Sequence, residues 1–207
     1  MKVEQIVVGP LQVNCYVAYD EKSLDALVID PGDEPDKILK FIKSKNLKVS
    51  HIICTHAHFD HTGGIAVLRE RTGAKVTLHI DDLEIYSRVE SQGAIWGFRV
   101  VQPPHPDLFL RDGEEIMAGE VKLTVMHTPG HSPGGICLVS DGLIFTGDTV
   151  FAGSIGRTDF YGGSIDALKV SFKKVLSFPP RTKLLPGHGN WTTVEDEWQQ
   201  NFFVHEL

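Results

Sequence analysis

The chain has 207 residues, long enough to bury a core as one compact domain spanning 1–207, with ordinary apolar (42%) and charged (23%) content. Its net charge of −7, with no cluster of Lys or Arg, argues against nucleic acid or an anionic membrane as the main partner. No apolar run approaches the roughly 18–20 residues of a membrane span, and Met1 to Gln5 carries an acid and an amide where an export signal needs a basic flank and an apolar stretch, so a cytoplasmic protein is expected.

Short apolar runs alternate with amphipathic segments along the chain. Ile6 to Val8, Cys15 to Ala18 and Ala26 to Asp30 read as strands, the last closed by Pro31-Gly32. Ile38, Leu39, Phe41 and Ile42 fall at helical spacing within 36–45, and 49–55 reads as a strand running into a histidine-rich stretch. Ile65, Leu68 and their flanking charges mark a helix that starts near Thr62 and stops at Gly73. A strand at 76–79 and a helix over about 81–90 follow, then an irregular excursion (91–106) containing Gly and Pro. The segment 115–127 reads as a hairpin around Ala118-Gly119-Glu120, and 137–145 as another, whose Asp141-Gly142 suits a type I′ turn. A helix over 164–177, a strand over 183–185 and a closing helix over 193–203 complete the chain. Hairpins and β-helix-β units together predict two mixed sheets with helices on their outer faces. Cys15, Cys54 and Cys137 are too scattered for a disulfide framework and sit in strand-like apolar settings, as buried reduced thiols do.

The unusual feature is the distribution of histidine. His56, His58, Asp60 and His61 place four metal-ligand types within six residues, directly after a strand. Positions two apart in an extended segment point the same way, so His56 and His58 can converge on one ion. A turn into the following helix would aim Asp60 and His61 at a neighbouring one. Further ligand types recur beyond three later strands: His131 in Thr128-Pro129-Gly130-His131, Asp148 in Gly147-Asp148-Thr149, and His188 in Pro186-Gly187-His188-Gly189. Loops gathered at one edge of a sheet are where sites assemble. His127 is the rival to His131; the Pro-Gly turn favours His131 by carrying it past the strand end. His51, His79, His105 and His205 read as ordinary surface or core residues.

These four motifs, in this order and over nearly the whole chain, resemble those of the metallo-β-lactamase-fold hydrolases. The resemblance implies an α/β, four-layered αββα sandwich. It implies that His56, His58 and His131 bind one divalent ion, that Asp60, His61 and His188 bind a second, and that Asp148 bridges the two. Asp30 matches a position that orients a ligand histidine through its far ring nitrogen. With imidazole and carboxylate donors and no cysteine, zinc is expected, with iron and manganese as alternatives.

Two dications held by two aspartates, neutral imidazoles and a bridging hydroxide carry a formal charge of about +1. Such a centre acidifies its water and stabilises an oxyanion, with Asp60 and Asp148 as the catalytic carboxylates. A thiolate, with a parent pKa of about 8.5, departs without a general acid, which makes a thioester the least demanding substrate. The run Asp148 to Phe160 resembles the short glyoxalase II enzymes, hydroxyacylglutathione hydrolases that act on S-D-lactoylglutathione. That implies a small acyl-thiol substrate. Arg157 is the candidate contact for an anionic substrate group, with a structural ion pair to Asp159 as the alternative; Tyr161, Trp96 and Phe98 are candidate pocket walls, with ordinary packing as the alternative; a monomer or homodimer is expected. The chain ends at Leu207, without room for the C-terminal helical glutathione-binding extension of the longer enzymes. The rival readings are a mononuclear-iron persulfide dioxygenase, which shares the run Gly156 to Phe160, and a non-catalytic protein stabilised by metal.

Overall fold

Strand residues that the sequence leaves apolar at every position sort onto two faces. In β2 (Val13–Tyr19), Cys15 and Val17 join one apolar cluster while Tyr16 and Ala18 join another, because side chains alternate across the pleat. Strands of this kind are covered on both sides. The computed structural model describes residues 1–207.

The first sheet takes β1 (Lys2–Val8), β2, β3 (Asp25–Ile29), β4 (Lys48–Ile53), β5 (Lys75–His79) and β6 (Leu108–Leu110) in chain order. The pairings β1–β2 and β2–β3 are antiparallel and the rest parallel. The parallel half needs crossovers. These are α1 (Pro35–Ser44), then α2 (Phe59–Thr62) and α3 (Ile65–Thr72), then α4 (Leu83–Tyr86) and α5 (Val89–Ile95). The second sheet begins with β7 (Glu115–Ala118), β8 (Val121–His127), β9 (Ile136–Ser140) and β10 (Leu143–Gly147), all antiparallel neighbours. A two-strand ribbon, β11 (Val150–Phe151) and β12 (Ser154–Ile155), precedes α6 (Ile165–Leu176). β13 (Lys183–Pro186) then pairs parallel to β10, β14 (Thr192–Thr193) adds an edge, and α7 (Val194–Gln200) closes the chain.

Three apolar layers separate four layers of structure. Ile38, Leu39 and Ile42 of α1 and Ile65 and Leu68 of α3 pack on the outer face of the first sheet. Tyr16, Leu27, Ile29, Leu123, Val125, Phe145 and Leu185 fill the space between the sheets, where Phe145 meets Tyr16 edge-on at 5.2 Å. Phe172, Val175 and Leu176 of α6 pack on the outer face of the second sheet with Val194 and Phe203. This is the expected αββα sandwich.

Several local expectations change. The helix expected to start near Thr62 starts at Ile65, and a separate short helix, α2, precedes it and carries Asp60 and His61. The helix expected over 81–90 breaks into α4 and α5, and α5 runs on to Ile95, into the first part of the excursion. β6 was not foreseen; its three residues are too few to show a period. At Asp141-Gly142 only Gly142 takes a positive φ, 71°, so the hairpin is real but its turn is not type I′, which needs both residues positive. The closing helix stops at Gln200, where Asn201 caps a short 3-10 turn. The helix ending at Gly73 and the Ser164 cap of α6 are as expected. The three cysteines are buried and free, and burial raises each thiol pKa.

Candidate metal centre

All of the ligand-type residues singled out in the sequence meet at one edge of the sandwich. β4 ends at Ile53 and releases an extended stretch in which His56 and His58 both turn inward; α2 then presents Asp60 and His61. His131 follows β8, Asp148 follows β10 and His188 follows β13. The donor atoms form two trios, His56, His58 and His131, and Asp60, His61 and His188, each with its atoms within 4.8 Å of one another.

Within the second trio His61 Nε2 lies 3.2 Å from His188 Nε2 and 3.7 Å from Asp60 Oδ2, while His188 Nε2 lies 3.4 Å from that oxygen. In the first, His58 Nδ1 and His131 Nε2 are 2.8 Å apart. Asp148 stands between them: Oδ1 is 3.5 Å from His61 Nε2, and Oδ2 is 3.6 Å from His131 Nε2 and 3.8 Å from His188 Nε2. Ligands about 2.0–2.2 Å from a tetrahedral ion stand about 3.3–3.6 Å from each other, and apart from the 2.8 Å pair these separations lie within a few tenths of an ångström of that range. Two buried polar side-chain atoms lack any hydrogen-bond partner, His56 Nε2 and Asp148 Oδ1. Buried polar atoms are rarely left so, and both aim into the cluster.

The ring orientations follow from bonds on the far nitrogens. His61 Nδ1–H donates to Asp30 Oδ2 at 3.1 Å, His131 Nδ1–H to the Arg157 carbonyl at 2.7 Å, and His188 Nδ1–H to the Leu11 carbonyl at 3.0 Å. Each leaves its Nε2 lone pair facing the centre. His56 Nδ1 meets Thr55 Oγ1 at 3.2 Å, and that hydroxyl donates to Asp30 Oδ2 at 2.6 Å. Asp30 therefore orients His61 directly and His56 through Thr55. Its left-handed backbone, φ 51°, brings its carboxylate to the Thr55 N–H at 2.7 Å, a conformation aspartate tolerates better than most residues. The His188 loop is tied to the first sheet, since Tyr16 Oη–H and Asn14 Nδ2–H both donate to the Pro186 carbonyl. Gly187 closes the cradle, because a Cβ there would collide with Asp148 Oδ1.

Electrostatics divides the two trios in the metal-free chain. Burial, with His131 close by, lowers His58 to about 3, and burial followed by the neighbouring histidines holds His56 well below its usual value. Burial acts against His61 as well, but Asp148, Asp60 and the Asp30 hydrogen bond push it up to about 10. His188 is raised against burial by Asp60 and Asp148. Asp60 would be raised by burial, yet His61 and His188 hold it below the ordinary carboxylate range.

The rim differs from the floor. Phe160 meets His58 at 5.3 Å and Trp96 at 6.1 Å, and Phe98 meets Phe59 at 5.4 Å, so an aromatic shelf leads outward. Arg157 does not offer a free guanidinium. It makes two 2.6 Å bonds to Asp159 and lies over the Phe160 ring at 4.1 Å. The Tyr161 hydroxyl donates to Glu84 at 2.7 Å. Both side chains are thus engaged away from the centre. It is the main-chain carbonyl of Arg157 that serves the site, together with Thr55 and the Leu11 carbonyl, none of which the sequence singled out. A histidine-rich motif signals its ligands; a carbonyl partner has no side-chain signature.

His127, the rival to His131, turns away. Its ring stacks on His79 at 4.0 Å and 11°, with Asp81 nearby. An ion must lie near the plane of every imidazole that binds it, so parallel rings make a stack rather than a chelate.

Comparison with known proteins accords with this geometry. A family profile described as "Metallo-beta-lactamase superfamily" matches residues 8–188. The chain is 38% identical to "Probable metallo-hydrolase YqgX" of Bacillus subtilis (strain 168), covering 99% of this chain and 98% of the relative. It is 30% identical to "Hydroxyacylglutathione hydrolase GloC" of Haemophilus influenzae (strain ATCC 51907 / DSM 11121 / KW20 / Rd), covering 99% of each. Among solved structures, TTHA1623 "in a di-iron-bound form" superposes with TM-score 0.90 at 39% identity, covering 97% of this chain and 99% of that one. "BLEG-1 B3 metallo-beta-lactamase" superposes with TM-score 0.91 at 33% identity, covering 98% and 99%. The chain belongs to the metallo-beta-lactamase superfamily.

Proposed function

We propose that this member of the metallo-beta-lactamase superfamily is a two-metal hydrolase of acyl thioesters. The observation that carries the reading is Asp148 standing between the two trios with one oxygen otherwise unpartnered. His56, His58 and His131 would hold one ion, and Asp60, His61 and His188 the other, with Asp148 shared. Imidazole and carboxylate donors suit zinc, iron and manganese alike, and the di-iron form of the TTHA1623 structure makes iron as serious a choice as zinc. When bound, such ions supply Lewis-acid polarisation of an acyl carbonyl and a water acidic enough to attack at neutral pH.

The chain's own residues narrow the chemistry. Its three thiols are buried with raised pKa values, so none serves as a nucleophile. Asp60 is held in its ionised form, so it accepts protons and does not supply one to a leaving group. A thiolate leaves without that proton, whereas an amine does not. The aromatic shelf of Phe160 and Trp96 faces the acyl or thiol chain outside the metals. The GloC relative supports S-D-lactoylglutathione as the first substrate to assay, among other small acyl thioesters.

The test is a kinetic panel on metal-quantified protein: S-D-lactoylglutathione, acyl thioesters of increasing length, a chromogenic cephalosporin, and glutathione persulfide in an oxygen cell. Thioester hydrolysis with two ions per chain is expected. Faster turnover of the cephalosporin, or oxygen uptake with one iron per chain, would overturn the reading.

A further inference from the structure

Asp82 is fully buried at the end of a single 3-10 turn, Ile80–Asp82, that follows β5. A buried carboxylate ordinarily has a cationic partner, yet no Lys or Arg pairs with this one. It accepts three hydrogen bonds instead. Oδ2 takes the Ala57 N–H at 2.9 Å and the Ser132 Oγ–H at 2.9 Å, and Oδ1 takes the Gly134 N–H at 2.5 Å. Ala57 lies between His56 and His58; Ser132 and Gly134 directly follow His131. The donors therefore come from the two segments that carry one complete trio, the first of which runs on into Asp60 and His61, and none comes from the His188 loop.

We propose that Asp82 is a positioning residue for the His56, His58 and His131 site, clamping its two loops at the separation that lets three imidazoles share one ion. The inference rests on the two-metal reading above. The Ile136 N–H to Thr55 carbonyl bond, 2.8 Å, joins the bases of the loops. Asp82 joins them beside the histidines themselves. Gly134 admits this contact, since a Cβ there would lie 2.5 Å from the Asp82 nitrogen. His127 reinforces the same loop by donating from Nε2 to the Pro133 carbonyl at 2.9 Å. Burial raises the Asp82 carboxyl pKa against the pull of its three donors. An asparagine in its place would keep one accepting oxygen but turn its NH2 towards the N–H of either Ala57 or Gly134, losing at least one of the bonds that join the loops. The centre thus has two carboxylates behind it: Asp30 reaches His61 directly and His56 through Thr55, and Asp82 reaches the loops of the first trio through two backbone N–H groups and the Ser132 hydroxyl.

Cobalt(II) titration of the metal-stripped full-length protein, followed by ligand-field absorbance, tests this. Two steps are expected, and the step missing in His131→Ala identifies the first-trio site. Loss of an outer partner typically weakens metal binding about 10–100-fold; Asp82→Asn should weaken that step by this factor and leave the other unchanged. Ser132→Ala, which removes one of the three bonds, should weaken the same step less. Thermal unfolding of the metal-free variants runs alongside. A merely structural residue would lower the unfolding temperature while moving both steps equally or neither, and that result overturns the proposal. Should Asp82→Asn fail to fold, Ser132→Ala decides on the same criterion. A wild-type protein that takes up fewer than two cobalt ions would overturn the two-metal reading itself.

Discussion

The floor and the rim of the site are built by opposite rules. On the floor, His56, His61 and His131 are buried, their far nitrogens are bonded, and their Nε2 atoms converge. On the rim, Arg157, Asp159 and Tyr161 face solvent and spend their polar groups on one another or on Glu84. A floor determined from several directions holds metal geometry to the tolerance that reactivity demands. A rim of paired charges over an aromatic shelf leaves the choice of substrate to shape and apolar contact. On the proposed function, chemistry and selectivity would be held by separate residues.

That separation can be broken most severely at Asp148. Asp148→Ala should cost at least one ion and several orders of magnitude in hydrolysis; metal analysis with steady-state kinetics decides, and a variant keeping two ions and near-normal turnover removes the shared-ligand assignment. Asp30→Asn strikes the floor from behind. With His61 and His56 both losing their orientation, metal affinity should fall about 10–100-fold while the apolar core stays folded, as read by chelator competition and circular dichroism.

A smaller effect distinguishes the two trios by pH. His56 and His58 are unprotonated at neutral pH because burial holds them low, His58 at about 3. His61, pushed up to about 10, carries a proton that an incoming ion must displace. Affinity for the Asp60, His61 and His188 site should therefore rise with pH between neutrality and about 10, and more steeply than for the site that includes His56 and His58. Proton release measured in a pH-stat during stepwise metal addition reads this directly; equal release in both steps contradicts it. The least effect is expected at the rim. Arg157→Ala and Tyr161→Phe should keep metal content and kcat, moving KM at most. A fall in kcat for Arg157→Ala would show that its main-chain carbonyl depends on the ion pair with Asp159.

The chain's ligand types and their order were legible without a structure, because a metal constrains residue identity so tightly that histidine and aspartate must stand in narrow motifs. The apolar strand runs and the Gly73 and Ser164 helix boundaries were equally plain, since such patterns are local. Tertiary structure alone decided what supports the ligands. The bonds from His188 to the Leu11 carbonyl, from His131 to the Arg157 carbonyl, and from Asp82 to Ala57, Ser132 and Gly134 join segments far apart in sequence, mostly through backbone groups that every residue carries. It decided too that Arg157 and Tyr161 are occupied elsewhere, and that His127 stacks on His79. A side chain's type announces what it can bind; only the fold determines which partner reaches it first.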